Sequence, residues 1–283
     1  MSETLVSLWT RVRDQLKAAG VDSPVLDARL LLEAGAGVSR LEIVTDPRRE
    51  LTADQVAAVE SLVRRREARE PIAHIVGRRH FWKLELTVTP DVLVPRPETE
   101  FVVEAALSAL APKGETRVLD LGVGSGAILL SVLSERPEAT GLGIDRSEAA
   151  LAIAQRNAED LGLQSRTQFR LGDWANELDE RFDLVLSNPP YIASRDIETL
   201  QPEVARFEPR LALDGGHDGL DAYRAIIQAL PRLLTENGAF ALEVGFDQAE
   251  AVTEMAHAAG LSTSPPWMDL AGIPRVVRGE RAA

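Results

Sequence analysis

From about residue 98 the chain alternates between short apolar runs and helix-period segments, and this constrains the fold more than any other feature. Strand-like runs fall at Val118–Leu121, Gly141–Ile144, Thr167–Leu171, Leu184–Leu186 and Phe240–Val244. Helical patterns occupy Ala127–Glu135, Glu148–Asp160, Ala222–Leu234 and Gln248–Ala259. Continuous apolar strands are buried on both faces, so the alternation predicts an α/β domain, residues 96–283, built on a parallel sheet covered by helices. Residues 1–73 differ. Leu5, Leu8, Trp9, Val12 and Leu16 share one helical face; Leu26, Leu30 and Leu31 mark a second helix. Thr52–Gln55 forms a capping box before a third that carries Val56, Val59, Leu62 and Val63 and ends in the surface run Arg64–Arg66. This segment reads as a small helical bundle, either purely structural or a docking surface for a macromolecular partner. Between them, residues 74–95 carry β-branched and aromatic residues with partial alternation at Leu84, Leu86 and Val88, a linking hairpin.

The first chemistry-bearing motif is V-L-D-L-G-V-G-S-G-A-I, Val118 to Ile128, a strand running through a glycine turn into a helix. Gly122, Gly124 and Gly126 allow a sharp turn and close approach of a ligand, and the helix start offers free N–H donors. Asp145, ending the next strand, can accept hydrogen bonds from ribose hydroxyls or can cap the helix that begins at Ser147. The turn also satisfies the loose dinucleotide pattern, but Asp120 would place a carboxylate near a pyrophosphate. S-adenosylmethionine, net cationic, suits an acidic strand end better. A cap for a helix or loop is the other reading of Asp120.

The second motif, Asn188-Pro189-Pro190-Tyr191, follows the fourth strand, at the edge where open α/β sheets bind ligands. Successive prolines present carbonyl acceptors on a stiff backbone, and Asn188 adds a side-chain acceptor. Asn188 Oδ1 and the Pro189 carbonyl can together take both protons of a planar NH2 group, with the Tyr191 ring as a stacking face. Holding an amide nitrogen this way turns its lone pair toward an S–CH3 bond, so most of the assistance is orientation. His74, His80, His217 and His257 form no spaced pair, and no metal role is assigned.

Composition narrows the choice. The 283 residues include no cysteine, which excludes disulfides, thiolate metal sites and cysteine nucleophiles. The formal charge of −13 argues against a non-specific nucleic-acid binder. Residues 1–75 hold 11 Lys+Arg and 12 Asp+Glu, so the deficit lies in the remainder, with 20 against 32. No run of 18 apolar residues occurs, and charges interrupt the start where a signal peptide would be apolar, so a cytoplasmic, membrane-free protein is expected.

These motifs resemble those of methyltransferases that act on exocyclic or amide NH2 groups and use S-adenosylmethionine. More specifically, F-W-K-L-E-L-T-V-T-P-D-V-L-V-P-R-P-E-T-E (81–100), V-A-R-F-E-P-R-L-A-L (204–213) and D-L-A-G-I-P-R-V-V (269–277) resemble the protein-(glutamine-N5) methyltransferases of class I peptide chain release factors. The likeness covers nearly the whole chain. It implies a Rossmann-like seven-stranded catalytic domain joined by the hairpin to an N-terminal helical domain that docks the substrate. It implies that Gly122, Val123, Gly124, Ser125, Gly126 and Asp145 bind S-adenosylmethionine, with Trp174 beside the adenine and Asn188 shared between cofactor and substrate. Asn188, Pro189, Pro190 and Tyr191 would hold the glutamine of a Gly-Gly-Gln loop, and S-adenosylhomocysteine would be the product. Two departures stand out: Val123 where a small polar residue is common, and His74 where an aromatic hydroxyl is expected. An adenine-N6 or guanine-N2 nucleic-acid methyltransferase and a non-enzymatic S-adenosylmethionine-binding protein are the alternatives. Trp174 is otherwise a core aromatic and Asp173 a turn residue. Arg96 and Glu98 are read as an ion pair fixing the linker or as substrate contacts, Phe81 and Trp82 as interdomain packing.

Overall fold

The computed structural model describes residues 3–110, 114–176 and 178–281. The chain begins with helices Leu5–Ala18 (α1), Pro24–Ala36 (α2), Arg40–Thr45 (α3), Ala53–Glu67 (α4) and Ile72–Val76 (α5). Three start with reciprocal capping boxes: Thr4 with Ser7, Ser39 with Glu42, and Thr52 with Gln55. Each box satisfies orphan N–H groups of a first turn and fixes where the helix begins. Leu5, Leu8, Val12 and Leu16 are fully buried against Leu31, Leu32, Val59 and Val63. Leu26 is exposed, a departure from the expected inner face of α2. Asp27 takes the inner place instead, because its carboxylate accepts from Arg66 Nε at 2.7 Å. Arg66 is thus buried, and the run Arg64–Arg66 is not wholly a surface face. Burial pushes the Asp27 carboxyl up, and Arg66 pulls it down only in part.

The chain continues through a two-stranded hairpin, Arg78–Phe81 (β1) and Leu84–Thr87 (β2), to helix Glu100–Ala109 (α6). Strand Thr116–Leu121 (β3), helix Ala127–Glu135 (α7), strand Ala139–Asp145 (β4), helix Glu148–Asp160 (α8) and strands Thr167–Leu171 (β5) and Phe182–Ser187 (β6) follow. After helix Pro202–Phe207 (α9) come helix Asp221–Leu233 (α10), strand Leu234–Glu243 (β7), helix Ala249–Ala258 (α11) and strands Leu261–Met268 (β8) and Pro274–Arg281 (β9). Leu234, read as helical in the sequence, instead opens β7. Contacts divide the chain into two units. One runs to Arg78 and includes Gln201–Phe207; the other comprises Arg79–Leu200 and the chain from Glu208. Within the first unit, Glu203 accepts from Arg66 Nη1 at 2.9 Å and from Arg69 Nε and Nη2 at 2.6 and 2.7 Å. These charge-assisted bonds fasten the returning segment to the helices.

The second unit is a seven-stranded sheet in the order β5-β4-β3-β6-β7-β9-β8. Strands β3 to β7 pair in parallel, while β9 runs antiparallel between β7 and β8. Strand alternation divides the core. Val118, Leu184 and Leu186 face α6 and α7, whereas Leu119, Leu121, Val185 and Leu242 face α10 and α11. Phe81 is 1% exposed inside the first of these cores, and Trp82 packs on it while its Nε1 donates to Glu135 at 2.9 Å. Their packing is therefore internal to the second unit, a correction to the interdomain expectation. Strand order reverses at β3, whose neighbours are β4 and β6. Parallel sheets leave a crevice at such a point, beyond the carboxyl ends of the strands.

Candidate active site

The glycine turn leaves β3 and Asn188 leaves β6 at that crevice. Gly122 and Val123 both donate to Ile144 O, at 2.8 and 2.9 Å, and Gly124 donates to Asp145 Oδ2 at 2.9 Å. Gly126 has φ +84°, and a Cβ there would meet Leu130 Cδ1 at 2.9 Å, so both conformation and space require glycine. Ser125 O accepts from Asn157 Nδ2 at 2.8 Å. The same side chain exchanges hydrogen bonds with Thr87, accepting at 2.8 Å and donating at 3.0 Å. Asn157, 1% exposed, thereby anchors the turn to the hairpin.

A cavity of about 710 Å³ lies here, within the range of roughly 300–1,000 Å³ usual for small-molecule sites. Gly122, Val123, Gly124, Ser125, Asp145, Trp174, Asn188 and Pro190 line it. Gly126, Pro189 and Tyr191 are not on its wall. Gly126 is spent on the turn, and Pro189 is buried. Tyr191 is half-buried, its hydroxyl turned to Glu243 Oε1 at 3.4 Å and its carbonyl accepting from Gln248 Nε2 at 3.0 Å. Burial, then the neighbouring Glu243, raises its phenol above the ordinary range. The expected stacking face is accordingly not presented to the cavity.

Asp145 accepts from the Ser147 and Gly124 amides at 2.9 Å each, which leaves lone pairs for a ligand. The helix cap is Ser147 itself, through Ala150 at 3.1 Å. Trp174 adopts φ +52° and lies against Gly122, 3.5 Å from where a Cβ would stand, while also packing on the second core. Asp120 corrects the electrostatic argument made from sequence. Alternation turns it toward α7, where Oδ2 accepts from Leu129 N at 3.3 Å, and it does not line the cavity. Burial pushes its carboxyl up to about 7. The acidic character of the wall comes instead from Asp91, Asp145, Asp173, Asp214 and Asp221, against Arg146 and Arg210.

Asn188 donates through Nδ2 to Thr99 Oγ1 at 3.1 Å, and its Oδ1 has no hydrogen-bond partner among the described residues. The amide is therefore oriented as an acceptor toward the cavity it lines. Arg96 pairs with Glu208, 2.7 Å to each oxygen, and not with Glu98 as expected, because Glu208 is the buried carboxylate requiring a cation. Thr99, Asn157 and Glu243 escaped the sequence reading. Thr99 stands inside P-R-P-E-T-E, and Glu243 interrupts the apolar run Phe240–Val244, which was the available signal.

Comparison with known proteins places this geometry. Residues 7–77 match the PrmC N-terminal domain and residues 112–262 a methyltransferase domain. A release factor glutamine methyltransferase of Caulobacter vibrioides is 52% identical over 280 residues, 99% of this chain and 97% of that one. One from Rhodospirillum rubrum is 46% identical over 269 residues, 95% of this chain and 82% of the relative. A methyltransferase structure from Pyrococcus furiosus, 15% identical with a TM-score of 0.51, covers 71% of this chain and 90% of that chain and shows the fold. With a methyltransferase domain over more than half its length and such relatives end to end, the chain is an enzyme of the release factor glutamine methyltransferase family.

Proposed function

We propose that this enzyme methylates the side-chain amide N5 of the glutamine in the Gly-Gly-Gln loop of class I peptide chain release factors, in the cytoplasm. S-adenosylmethionine is the donor and S-adenosylhomocysteine the product. The carrying observation is that the free Asn188 acceptor and the glycine turn line one cavity with an acidic wall. That wall fits a cofactor of net positive charge. Gly122, Val123, Gly124, Ser125, Asp145 and Trp174 would hold it, and when bound it supplies an electrophilic methyl on a sulfonium.

The chain's own residues do the positioning. Asn188 Oδ1, on the cavity wall, accepts a hydrogen bond from the substrate amide, which raises electron density on nitrogen and fixes its direction of attack, while Pro189, buried behind the wall, stiffens the turn that carries it. Pro190 limits the slot, and Tyr191 holds the turn through Gln248 and Glu243. Orientation of this kind contributes up to roughly 7–11 kcal/mol in favourable intramolecular cases. The nitrogen becomes acidic only as it is methylated and then releases one proton to solvent, so the mechanism calls for no strong general base before transfer. We assign the first unit to docking of the release factor.

The test supplies the purified enzyme and S-adenosylmethionine with either a release factor or DNA and RNA, and follows methyl incorporation. Incorporation into the protein alone is expected. Salt-sensitive incorporation into nucleic acid, with none into the release factor, would replace this reading by an amino-group methyltransferase of bases.

A further inference from the structure

We infer that Gln248 is a positioning residue for methyl transfer, its carboxamide clamping the N-P-P-Y turn from behind the cavity wall against a backstop made by Gly215 and Gly219. The inference deepens the proposed function and rests on its assignment of Asn188 as acceptor. Pro189 and Pro190 have no N–H, so half of the turn cannot donate a hydrogen bond to hold itself in place. Neighbouring segments must do so.

The chain just after the turn is laid along residues 213–216. Ile192 N donates to Leu213 O at 3.0 Å, Gly215 N to Ile192 O at 2.8 Å and Ser194 N to Gly216 O at 2.8 Å. Gln248 closes this arrangement from the end of β7. Its Nε2 donates to Tyr191 O at 3.0 Å and to Gly219 O at 3.3 Å, while Oε1 accepts from Gly245 N at 3.1 Å. One side chain thus ties three backbone segments, which requires two donors and an acceptor on one planar group. Gln248 stands at the N-cap of α11, yet its side chain makes no capping bond there. Its polar atoms are committed to the turn instead.

The backstop admits no side chain. A Cβ on Gly219 would stand 2.5 Å from Tyr191 O and 2.8 Å from Gln248 Nε2. One on Gly215 would stand 2.8 Å from Pro190 O and 2.9 Å from Gly219 Cα. Gln248, Gly215 and Gly219 do not line the cavity, whereas Asn188 and Pro190 do. They can therefore reach the reaction only through the placement of the turn. Two successive fixed φ angles make that turn stiff, so a shift of Pro190 or Tyr191 is passed on to Asn188. The glycine turn after β3 receives none of these bonds, and the cofactor half of the cavity should be left as it is.

The experiment uses the full-length enzyme with S-adenosylmethionine and a release factor, measuring kcat and KM well below the unfolding temperature of each variant. Affinity for S-adenosylhomocysteine is measured by calorimetry. Gln248→Met keeps the length of the side chain and loses its hydrogen bonds. Gly215→Ala needs no positive φ and presses directly on Pro190 O, which must retreat by about half an ångström to reach ordinary contact. Since a misplacement of about 1 Å costs up to ~100-fold in rate, we expect kcat to fall about tenfold in each variant. KM for the release factor and affinity for S-adenosylhomocysteine should change less than about twofold, the pattern of an interaction made in the transition state. Wild-type kcat in either variant overturns the inference, as does a loss of product affinity equal to the loss of kcat. If Gln248→Met does not fold, Gly215→Ala decides alone. A wild-type enzyme that binds S-adenosylhomocysteine but leaves release factors unmethylated refutes the proposed function instead.

Discussion

Asn157→Ala tests the architecture that supports the cavity. Asn157 makes three hydrogen bonds, two with Thr87 and one with Ser125 O, in a position 1% exposed. At a net ~1 kcal/mol each, the loss is about 3 kcal/mol, and the partners left buried without replacement donors or acceptors add to it. For a unit of this size, such a loss lowers Tm by roughly 6–12 °C. The consequence extends to binding, because freeing Ser125 O loosens the turn that carries Gly124 and Gly126. Thermal unfolding with and without S-adenosylhomocysteine measures both effects. We expect the lower Tm and also a smaller ligand-induced rise, since weaker binding stabilises less. Asn157→Asp, which keeps the acceptor for Thr87 N but cannot donate to Thr87 O or Ser125 O, should fall with alanine. A Tm within about 1 °C of wild type in Asn157→Ala would refute the reasoning, as three buried bonds cannot be that cheap to remove.

Further expectations concern single groups. Asn188→Ala should retain the wild-type affinity for S-adenosylhomocysteine within a few-fold while methyl transfer falls by ~100-fold or more, measured by calorimetry and steady-state kinetics. Gly126→Ala forces a non-glycine residue to φ +84° beside Leu130 and should cost about 1–2 kcal/mol for the backbone alone, seen in chemical denaturation. Asp27→Ala leaves buried Arg66 with Glu203 and the Glu70 carbonyl but without the acceptor of its Nε, and should destabilise the first unit by ~3 kcal/mol, read from the same measurement. Asp120 has its carboxyl raised in the folded state, so that state holds the proton more tightly and stability falls as pH climbs from about 4 toward about 7. Asp120→Asn keeps an acceptor for Leu129 N without the buried charge. It should therefore exceed wild-type Tm at pH above 7, with the difference closing on acidification.

Elements whose burial is symmetric were the legible part of this sequence. The cores of β3, β4 and β6 are apolar at nearly every position, so their runs and spacing announced a parallel sheet, with β5 at its edge more polar. The two C-terminal strands β8 and β9 were not read as strands. S-T-S-P-P-W-M contains Pro265 and Pro266, which argue against a central strand, yet β8 is the sheet edge and its register shifts between Ser264 and Trp267. The short helices α3 and α5 also escaped, having too few residues to show a period. In the site, the glycines and Asn188-Pro189-Pro190-Tyr191 were legible because their backbone and donor chemistry is local. Thr99, Asn157 and Glu243 were not, because each derives its role from partners far away in sequence. Thr99 meets Asn188 across 89 positions and Asn157 meets Thr87 across 70. Asp120 carries the same lesson in reverse: a motif residue next to the turn points to the helix, and the wall acids come from other loops and from the ends of β4 and α10.

The most direct test of the central claim is tandem mass spectrometry of a release factor after incubation with the enzyme and S-adenosylmethionine. The account predicts a single addition of about 14 Da on the glutamine of the Gly-Gly-Gln loop, formed ~100-fold or more slowly when Asn188→Ala replaces the wild-type enzyme. An unmodified loop glutamine, from an enzyme that demonstrably binds S-adenosylhomocysteine, would contradict it.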